Sequence, residues 1–561
     1  MEGSSDRLFC CRWVRDKIPL THREELYHIL RMTGPLLLSR ILNYLLPFVV
    51  TMFCGRLGND VMAGYGLASA AINVTTAATG CGLALVCDTL VSQTFGGKNL
   101  LRVGVILQRG IIILLLFCLP CWGLLINAEA ILLCMGQEPE VARIAQLYMT
   151  AFIPAVPGYG TPCIICCLSS QGIIMPQMYT AALANIANLV TNYILLYWLD
   201  LGVGGSAAAN TLSWIYISAF LFAYIWWKKL HVTTWGGWSV ESLQEWGSYM
   251  KLAIPSTLMT CFEWWVYEFG GFFAGMLSED ELAAQHAVIM IAFITYMFPL
   301  GVQAAACARV GNALGAGDTA RAVLSTKMSY GLAGSMAIVE GVVLAGTKTV
   351  IGYIFTSDEK IIDLVSQLMT VYCFLQFFDG IVCVSTGIFL GTGKQKIPAV
   401  VNFIGYYCIG LPLCIVFMFV AKLRVLGFWL GLLIGAFLLS TSYITIIIFK
   451  LDWKRMTEEV RQTAMDGYMS VSSECHDGSA EKEGGVQQPK GGRLSTTQLI
   501  LRRGLTMLAA IALLVVGVIV HLVVPLPETL LEANSTTDWI NTTNTPDRIF
   551  STVLLPTQES A

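Results

Sequence analysis

Charge is scarce in this chain. Only 13% of its 561 residues are Asp, Glu, Lys or Arg, about half of the roughly 25% usual in soluble domains. So little charge over this length excludes an ordinary soluble enzyme, a disordered chain and a nucleic-acid binder. Apolar residues fill the deficit, at 55% of the total, and the mean hydropathy is +0.66. What remains is a polytopic membrane protein. With 34 basic and 37 acidic residues the net charge is −3, so bulk charge points to no partner.

Other absences narrow the reading. The first 32 residues carry Arg7, Arg12, Arg15, Lys17, Arg23 and Arg31. They hold no compact apolar core followed by a small-residue cleavage site, so residues 1–30 read as a basic cytosolic leader, not a signal peptide. Cysteine is plentiful, at 18, and includes Cys118 and Cys121 in one C-x-x-C and Cys163, Cys166 and Cys167 in another. No His or carboxylate cluster stands beside them to complete a metal site. In an apolar run a thiol is instead a small packing residue. The Gly311–Asp318 run is glycine-rich but lacks G-x-x-x-x-G-K-[ST], and no ATPase domain follows. It reads as a tight turn. The expectation is therefore no cofactor, no metal, no nucleic acid and no ATPase partner, with energy drawn from an ion gradient.

Apolar stretches fall near 33–54, 62–85, 105–127, 141–168, 177–198, 203–227, 249–273, 282–306, 327–346, 361–390, 399–421, 426–449 and 504–526. Each is long enough for a hydrocarbon core about 30 Å thick. They are continuously apolar rather than alternating, which favours helices over a barrel. With the N-terminus inside, the short loops hold 11 Lys and Arg on that side against 6 on the other, the bias expected of cytosolic loops. Thirteen spans then leave the C-terminus outside, where the sequons at Asn534 and Asn541 are open to glycosylation. Residues 466–498 are polar and rich in Gly, Ser, Glu and Lys. They read as disordered, within a cytosolic linker over 451–503. The span at 504–526 and an external tail over 527–561 are then additions to a twelve-helix core.

The core repeats itself. At an offset of 220, Pro35 matches Pro255, Gly55 matches Gly275, Asp60 matches Asp280 and Ala63 matches Ala283. At 219, Gly82 matches Gly301, Val91 matches Val310 and Gly96 matches Gly315. Near-constant spacing over many positions indicates two six-helix halves, 31–230 and 249–450, joined by a cytosolic loop over 231–248. Six spans return the chain to the same side, so the halves run parallel. Two related lobes around a central cavity suit alternating access.

Ionisable residues inside spans are costly and usually functional. Arg40, Asp88, Glu263, Glu268, His286, Glu340, Asp379 and His521 are the candidates. Asp88 and Arg40 can face a partner helix, and Glu340 can snorkel or face a cavity. The sharpest signal is the seventh span, where Glu263 and Glu268 sit among Trp264, Trp265 and Tyr267. Five residues at about 100° each put the two carboxylates some 140° apart around a helix. At i,i+4 spacing Glu263 pairs with Tyr267 and Trp264 with Glu268. A carboxylate beside an aromatic ring suits an organic cation, through charge attraction and cation–π contact. The tenth span adds Asp379 beside Gln376, Phe377 and Phe378. The repeat places Asn43 opposite Glu263 and Phe48 opposite Glu268, so the acidic equipment belongs to the C-terminal half. Tyr296 in the eighth span completes the candidate set. A carboxylate removed from water resists ionisation. It can hold a proton or a cation, not both, which is the chemistry of an antiporter.

At these residues the chain resembles the multidrug and toxin extrusion (MATE) family, in its animal branch. The resemblance covers about 31–450 and extends to the thirteenth span. It rests on Phe53–Gly58 (FCGRLG), Cys87–Gln93 (CDTLVSQ), Gly104–Arg109 (GVILQR), Thr234–Ser239 (TWGGWS), Ala253–Ser256 (AIPS), Glu263-Trp264-Trp265, Arg309–Asp318 (RVGNALGAGD) and Gly405-Tyr406-Tyr407. It implies twelve helices in two lobes opening in a V, and proton-coupled export of organic cations across the plasma membrane. It also implies that Glu263, Glu268 and Asp379 stand where the family has acidic residues important for transport. Asp379 replaces the usual Glu. Cys54 matches a family cysteine linked to thiol-sensitive transport, and Asn73 a polar residue of the second helix. Two departures stand out. Met290 occupies the place of a further Glu usual in animal relatives, with His286 one turn away, and Gly158–Ser170 looks little like the family's fourth span. The competing readings are a flippase for amphipathic or lipid-linked substrates and a membrane-embedded enzyme. For the first, Arg40 alone would hold phosphate. For the second, His286 and His521 lie far apart.

Overall fold

The computed structural model describes residues 19–355, 358–474 and 495–524. Asn534, Asn541 and the 527–561 tail lie outside the described residues, as does most of the 1–30 leader. The long helical runs are α1 (Leu20–Leu57), α2 (Asp60–Gly96), α3 (Leu100–Ile126), α4 (Pro139–Ser170), α5 (Met175–Tyr193, continued by a π turn to Trp198) and α6 (Gly202–Trp227). They continue as α7 (Trp246–Gly275), α8 (Glu279–Gly315), α9 (Thr319–Thr347), α10 (Glu359–Thr392), α11 (Lys396–Val420), α12 (Arg424–Lys450) and α13 (Thr496–Val523). The end of the leader, from Leu20, is already the first part of α1.

Among the described residues, eleven helices are long and apolar enough to cross a membrane, where the sequence pattern suggests thirteen. The two that fall short, α5 and α7, are long but polar. Asn185, Asn188 and Asn192 dilute α5, and Glu263 and Glu268 dilute α7. Asn188, Asn192 and Glu263 are tolerated because they face protein: both asparagines are fully buried and Glu263 is 8% exposed, and Ser213 Oγ donates to Asn188 Oδ1 at 2.6 Å. A polar group inside a bundle with its hydrogen bonds made costs far less than one facing lipid.

The halves meet around a pseudo-twofold axis that can be read residue by residue. A Cβ on Gly82 of α2 would lie 2.4 Å from Thr257 Cα of α7, and one on Gly301 of α8 would lie 3.4 Å from Leu37 Cβ of α1. Both glycines and both neighbours are related by the repeat. Lower down, α2 and α8 cross each other. A Cβ on Gly96 would lie 2.2 Å from Asn312 O, and one on Gly315 would lie 1.9 Å from Gln93 O, again an exchange of equivalent positions. At the crossing itself Gly311 faces its own counterpart, Ser92. The turns that follow also correspond: Lys98 and Gly317 both take positive φ. Asn99 and Asp318 cap the next helices by accepting from Arg102 N at 3.3 Å and Arg321 N at 2.9 Å. Of the Gly311–Asp318 run expected as a tight turn, Gly311–Gly315 is instead the last stretch of α8, where the glycines allow the close crossing, and only residues 316–318 form the turn.

Further inter-lobe bonds cluster at this end. Gln93 Nε2 donates to Gly391 O at 2.9 Å, Gln395 Nε2 to Thr89 Oγ1 at 2.6 Å and Asn312 Nδ2 to Ser170 O at 3.0 Å. The start of α1 adds a buried ion cluster. Arg309 Nε donates to Glu25 Oε1 at 2.8 Å and Ser325 Oγ to the same oxygen at 2.6 Å. Farther along, the halves touch through Trp265 Nε1 to Val74 O at 3.2 Å and Tyr44 Oη to Met290 Sδ at 3.4 Å. The two lobes therefore close on each other at the turns after α2 and α8 and part toward the opposite end.

Of the two outlying elements, one differs from the sequence reading. The expected linker from 451 is helical over Trp453–Glu474. Its apolar side explains why: Met456 and Thr457 are buried, and Thr319 Oγ1 donates to Thr457 Oγ1 at 2.9 Å. Lys394 and Arg455 both hydrogen-bond Glu459 and hold its carboxyl below the usual range. Helix α13 lies against α3 at paired glycines, where a Cβ on Gly517 would lie 2.7 Å from Gly123 Cα. Asn127 Nδ2 donates to Gly517 O at 2.8 Å. Arg503 donates to Leu243 O at 2.8 Å and stands 4.1 Å over the Trp246 ring.

Candidate functional site

Helix α7 runs unbroken through Trp246–Gly275, so its two carboxylates diverge as the helical period requires. Glu263 is 8% exposed and points into the C-terminal lobe, where Tyr296 Oη of α8 donates to its Oε1. Glu268 is exposed on another face. One turn beyond Glu263, Tyr267 Oη donates to Asp379 Oδ2 of α10 at 3.3 Å. Asp379 is also 8% exposed. Among the described residues neither Glu263 nor Asp379 forms an ion pair. Two carboxylates thus sit in a low-dielectric pocket whose donors are tyrosine hydroxyls rather than cations.

Of the residues singled out in the sequence, Glu263, Tyr267, Tyr296 and Asp379 come together. Trp264 and Glu268 share the other side of α7, with Trp264 38% exposed. Asn73 lies across the inter-lobe gap. It opens a π turn, Asn73–Ala77, in α2, and Trp265 bonds the carbonyl of Val74 within that turn. A π turn shifts the hydrogen-bond ladder and frees backbone groups, a feature frequent at functional sites. Cys54 does not reach this cluster. It is fully buried in the N-terminal half, with Sγ 3.1 Å from Tyr148 Oη and 3.3 Å from Ser206 Oγ. In the divergent fourth span, Pro154, Pro157 and Pro162 accompany a 3-10 turn over Ile153–Gly160 before helix resumes at Thr161.

Sequence reasoning passed over Thr295, Tyr372 and the true setting of Gln376. Thr295 Oγ1 and Tyr372 Oη are 2.5 Å apart, and both line a small void with Tyr296, Gln376 and Asp379. Gln376 and Tyr372 lie three and seven residues before Asp379, one stripe of a helix. That spacing was the available signal.

The MatE family profile matches residues 35–194 and again 255–416. The chain belongs to the MatE family of multidrug and toxin extrusion transporters. The two matches begin 220 residues apart, the period of the repeat. The chain is 44% identical to multidrug and toxin extrusion protein 1 of Danio rerio, over 93% of this chain and 95% of that one. It is 41% identical to the protein of that name in Homo sapiens, over 89% and 94%. Its fold is similar to the crystal structure of the eukaryotic MATE transporter AtDTX14, with a TM-score of 0.76 and 27% identity over 79% of this chain and all of that one. Vibrio cholerae VcmN, at 14% identity and a TM-score of 0.70, shares the fold. This MatE protein is therefore a multi-pass membrane transporter of small organic substrates, in a family of transporters rather than enzymes.

Proposed function

We propose that this transporter exports organic cations across the plasma membrane in exchange for protons, with its N-terminus cytosolic and its C-terminus external. The observation that carries the reading is the pair Glu263 and Asp379: buried, free of any ion pair among the described residues, and each held by a tyrosine hydroxyl. A buried carboxylate without a cation is stable when protonated, and a bound organic cation replaces the proton. The site then alternates between two occupants, and the rocking of the lobes carries each one way. Tyr267 and Tyr296 fix the carboxylates and offer ring faces. Trp264 and Asn73 border the gap through which a flat cation enters. Glu268, on the exposed side of α7, would meet an arriving cation first. The bias of Lys and Arg in the short loops supports the orientation.

Proteoliposomes holding the purified protein test this. Uptake of labelled tetraethylammonium is expected to require an outward proton gradient and to rise with external pH, because protons leave as the cation enters. Glu263→Gln is expected to abolish the gradient-driven uptake while the protein remains folded. Uptake indifferent to the gradient would overturn the reading.

A further inference from the structure

Besides Glu263, Asp379 and the ion-paired Glu281, the C-terminal half buries a carboxylate oxygen of Glu340. Glu340 lies on α9, whose neighbours Ile338, Val339, Val342 and Val343 are exposed along the outer apolar face. Glu340 itself lines two small adjoining voids, each with room for about one water molecule. Pro299 and Gln376 line both, and one of them reaches Tyr296, Tyr372 and Asp379. A water-sized void therefore lies between Asp379 and Glu340, with Gln376 beside it.

The hydrogen bonds along that path are incomplete. Gln376 is 6% exposed, and its Nε2 donates to Ala337 O at 2.7 Å. Its Oε1 has no partner, and neither has Glu340 Oε1. Two buried acceptors around one void call for donors, and the candidates are a water and a proton on Glu340. The titratable groups facing the void are Glu340, Asp379, Tyr296 and Tyr372, and no Lys, Arg or His lines it. Nothing there neutralises a Glu340 anion. Close packing fixes the geometry, since a Cβ on the adjacent Gly341 would come within 3.1 Å of Gln376 Nε2.

We propose that Glu340 is a further proton-carrying group of this lobe, linked to Asp379 through the water-sized void beside Gln376, and that it releases its proton when an organic cation occupies the Glu263–Asp379 site. This rests on the proton-coupled reading above. Gln376 is the positioning residue, its free carbonyl oxygen orienting the bridging water. The route approaches Asp379 from the α9 side, away from the gap between the lobes, so proton and substrate need not share one path.

Equilibrium binding of tetraethylammonium to the full chain in lipid nanodiscs, measured across pH, tests the assignment. The slope of log affinity against pH counts the protons released on binding. Glu340→Gln is expected to lower that slope by about one while leaving affinity at alkaline pH unchanged. Gln376→Leu, which keeps Glu340 but removes its polar link, is expected to lower the slope in the same way and serves should the first variant fold poorly. A wild-type slope with no change in either folded variant would overturn this proposal and leave the proton-coupled reading standing. A wild type with no slope at all would overturn both.

Discussion

Removing the carboxylate of Glu25 should release the closed end of the transporter. Glu25 belongs to α1, and its partners Arg309, Arg321 and Ser325 belong to α8 and α9 of the other half. The Glu25 side chain is 4% exposed and Arg309 15%, with Nη2 to Oε2 at 2.5 Å beside the Nε to Oε1 bond. Breaking a buried pair by deleting one member costs about 3–5 kcal/mol, because the other charge is left without its partner. Arg321, 48% exposed at 3.5 Å, adds less than about 1 kcal/mol. Arg309 keeps some access to water, so the lower end of the range applies. A penalty of about 3 kcal/mol borne only by the closed arrangement multiplies the open-to-closed ratio roughly a hundredfold. Hydrogen exchange of the α8 end, residues 304–318, in Glu25→Ala against the wild type measures this directly. Exchange is expected to accelerate by up to that factor. A cycle with Arg309→Ala should show the double variant costing less than the sum of the singles. Exchange indistinguishable from the wild type would refute the reasoning and reduce the cluster to a passive contact.

Other expectations follow from the same geometry. Gly315→Ala puts a methyl 1.9 Å from a backbone oxygen that no rotamer can clear. It should destabilise the closed crossing of α2 and α8 by about 1–3 kcal/mol, read as raised accessibility of the α2–α3 turn. A membrane-impermeant thiol reagent applied to intact cells should label the exposed Cys134, at the end of the short helix Ala128–Cys134 that follows α3, and spare the fully buried Cys54. Labelling of Cys134 only after permeabilisation would reverse the proposed orientation.

Much of the architecture was legible because it is periodic. The 220-residue offset names the two halves. The same offsets recover, pair by pair, the glycine contacts of Gly82 with Thr257 and of Gly301 with Leu37. The divergence of Glu263 from Glu268 is set by the helical turn and needs only that α7 be unbroken. The ion cluster at Glu25 was not legible, since Glu25 and Arg309 are 284 residues apart and nothing local marks one as the partner of the other. The helix at Trp453–Glu474 was missed because its sequence is polar enough to pass for linker, and only contact with α8 and α9 gives its few apolar residues a purpose. Glu340 looked ambiguous in an evenly apolar span. Its meaning depends on Gln376, which approaches from another helix.

The crossing of α2 and α8 also carries a record of descent. A residue on a twofold axis faces its own copy. A Cβ on Gly311 would lie 2.6 Å from Ser92 Cβ, closer than two side chains can sit. While the halves were still identical in sequence, this position could carry only glycine at this spacing. Serine was admissible in one half once the other was fixed as glycine, so the exchange at position 92 dates from after the two copies had begun to part.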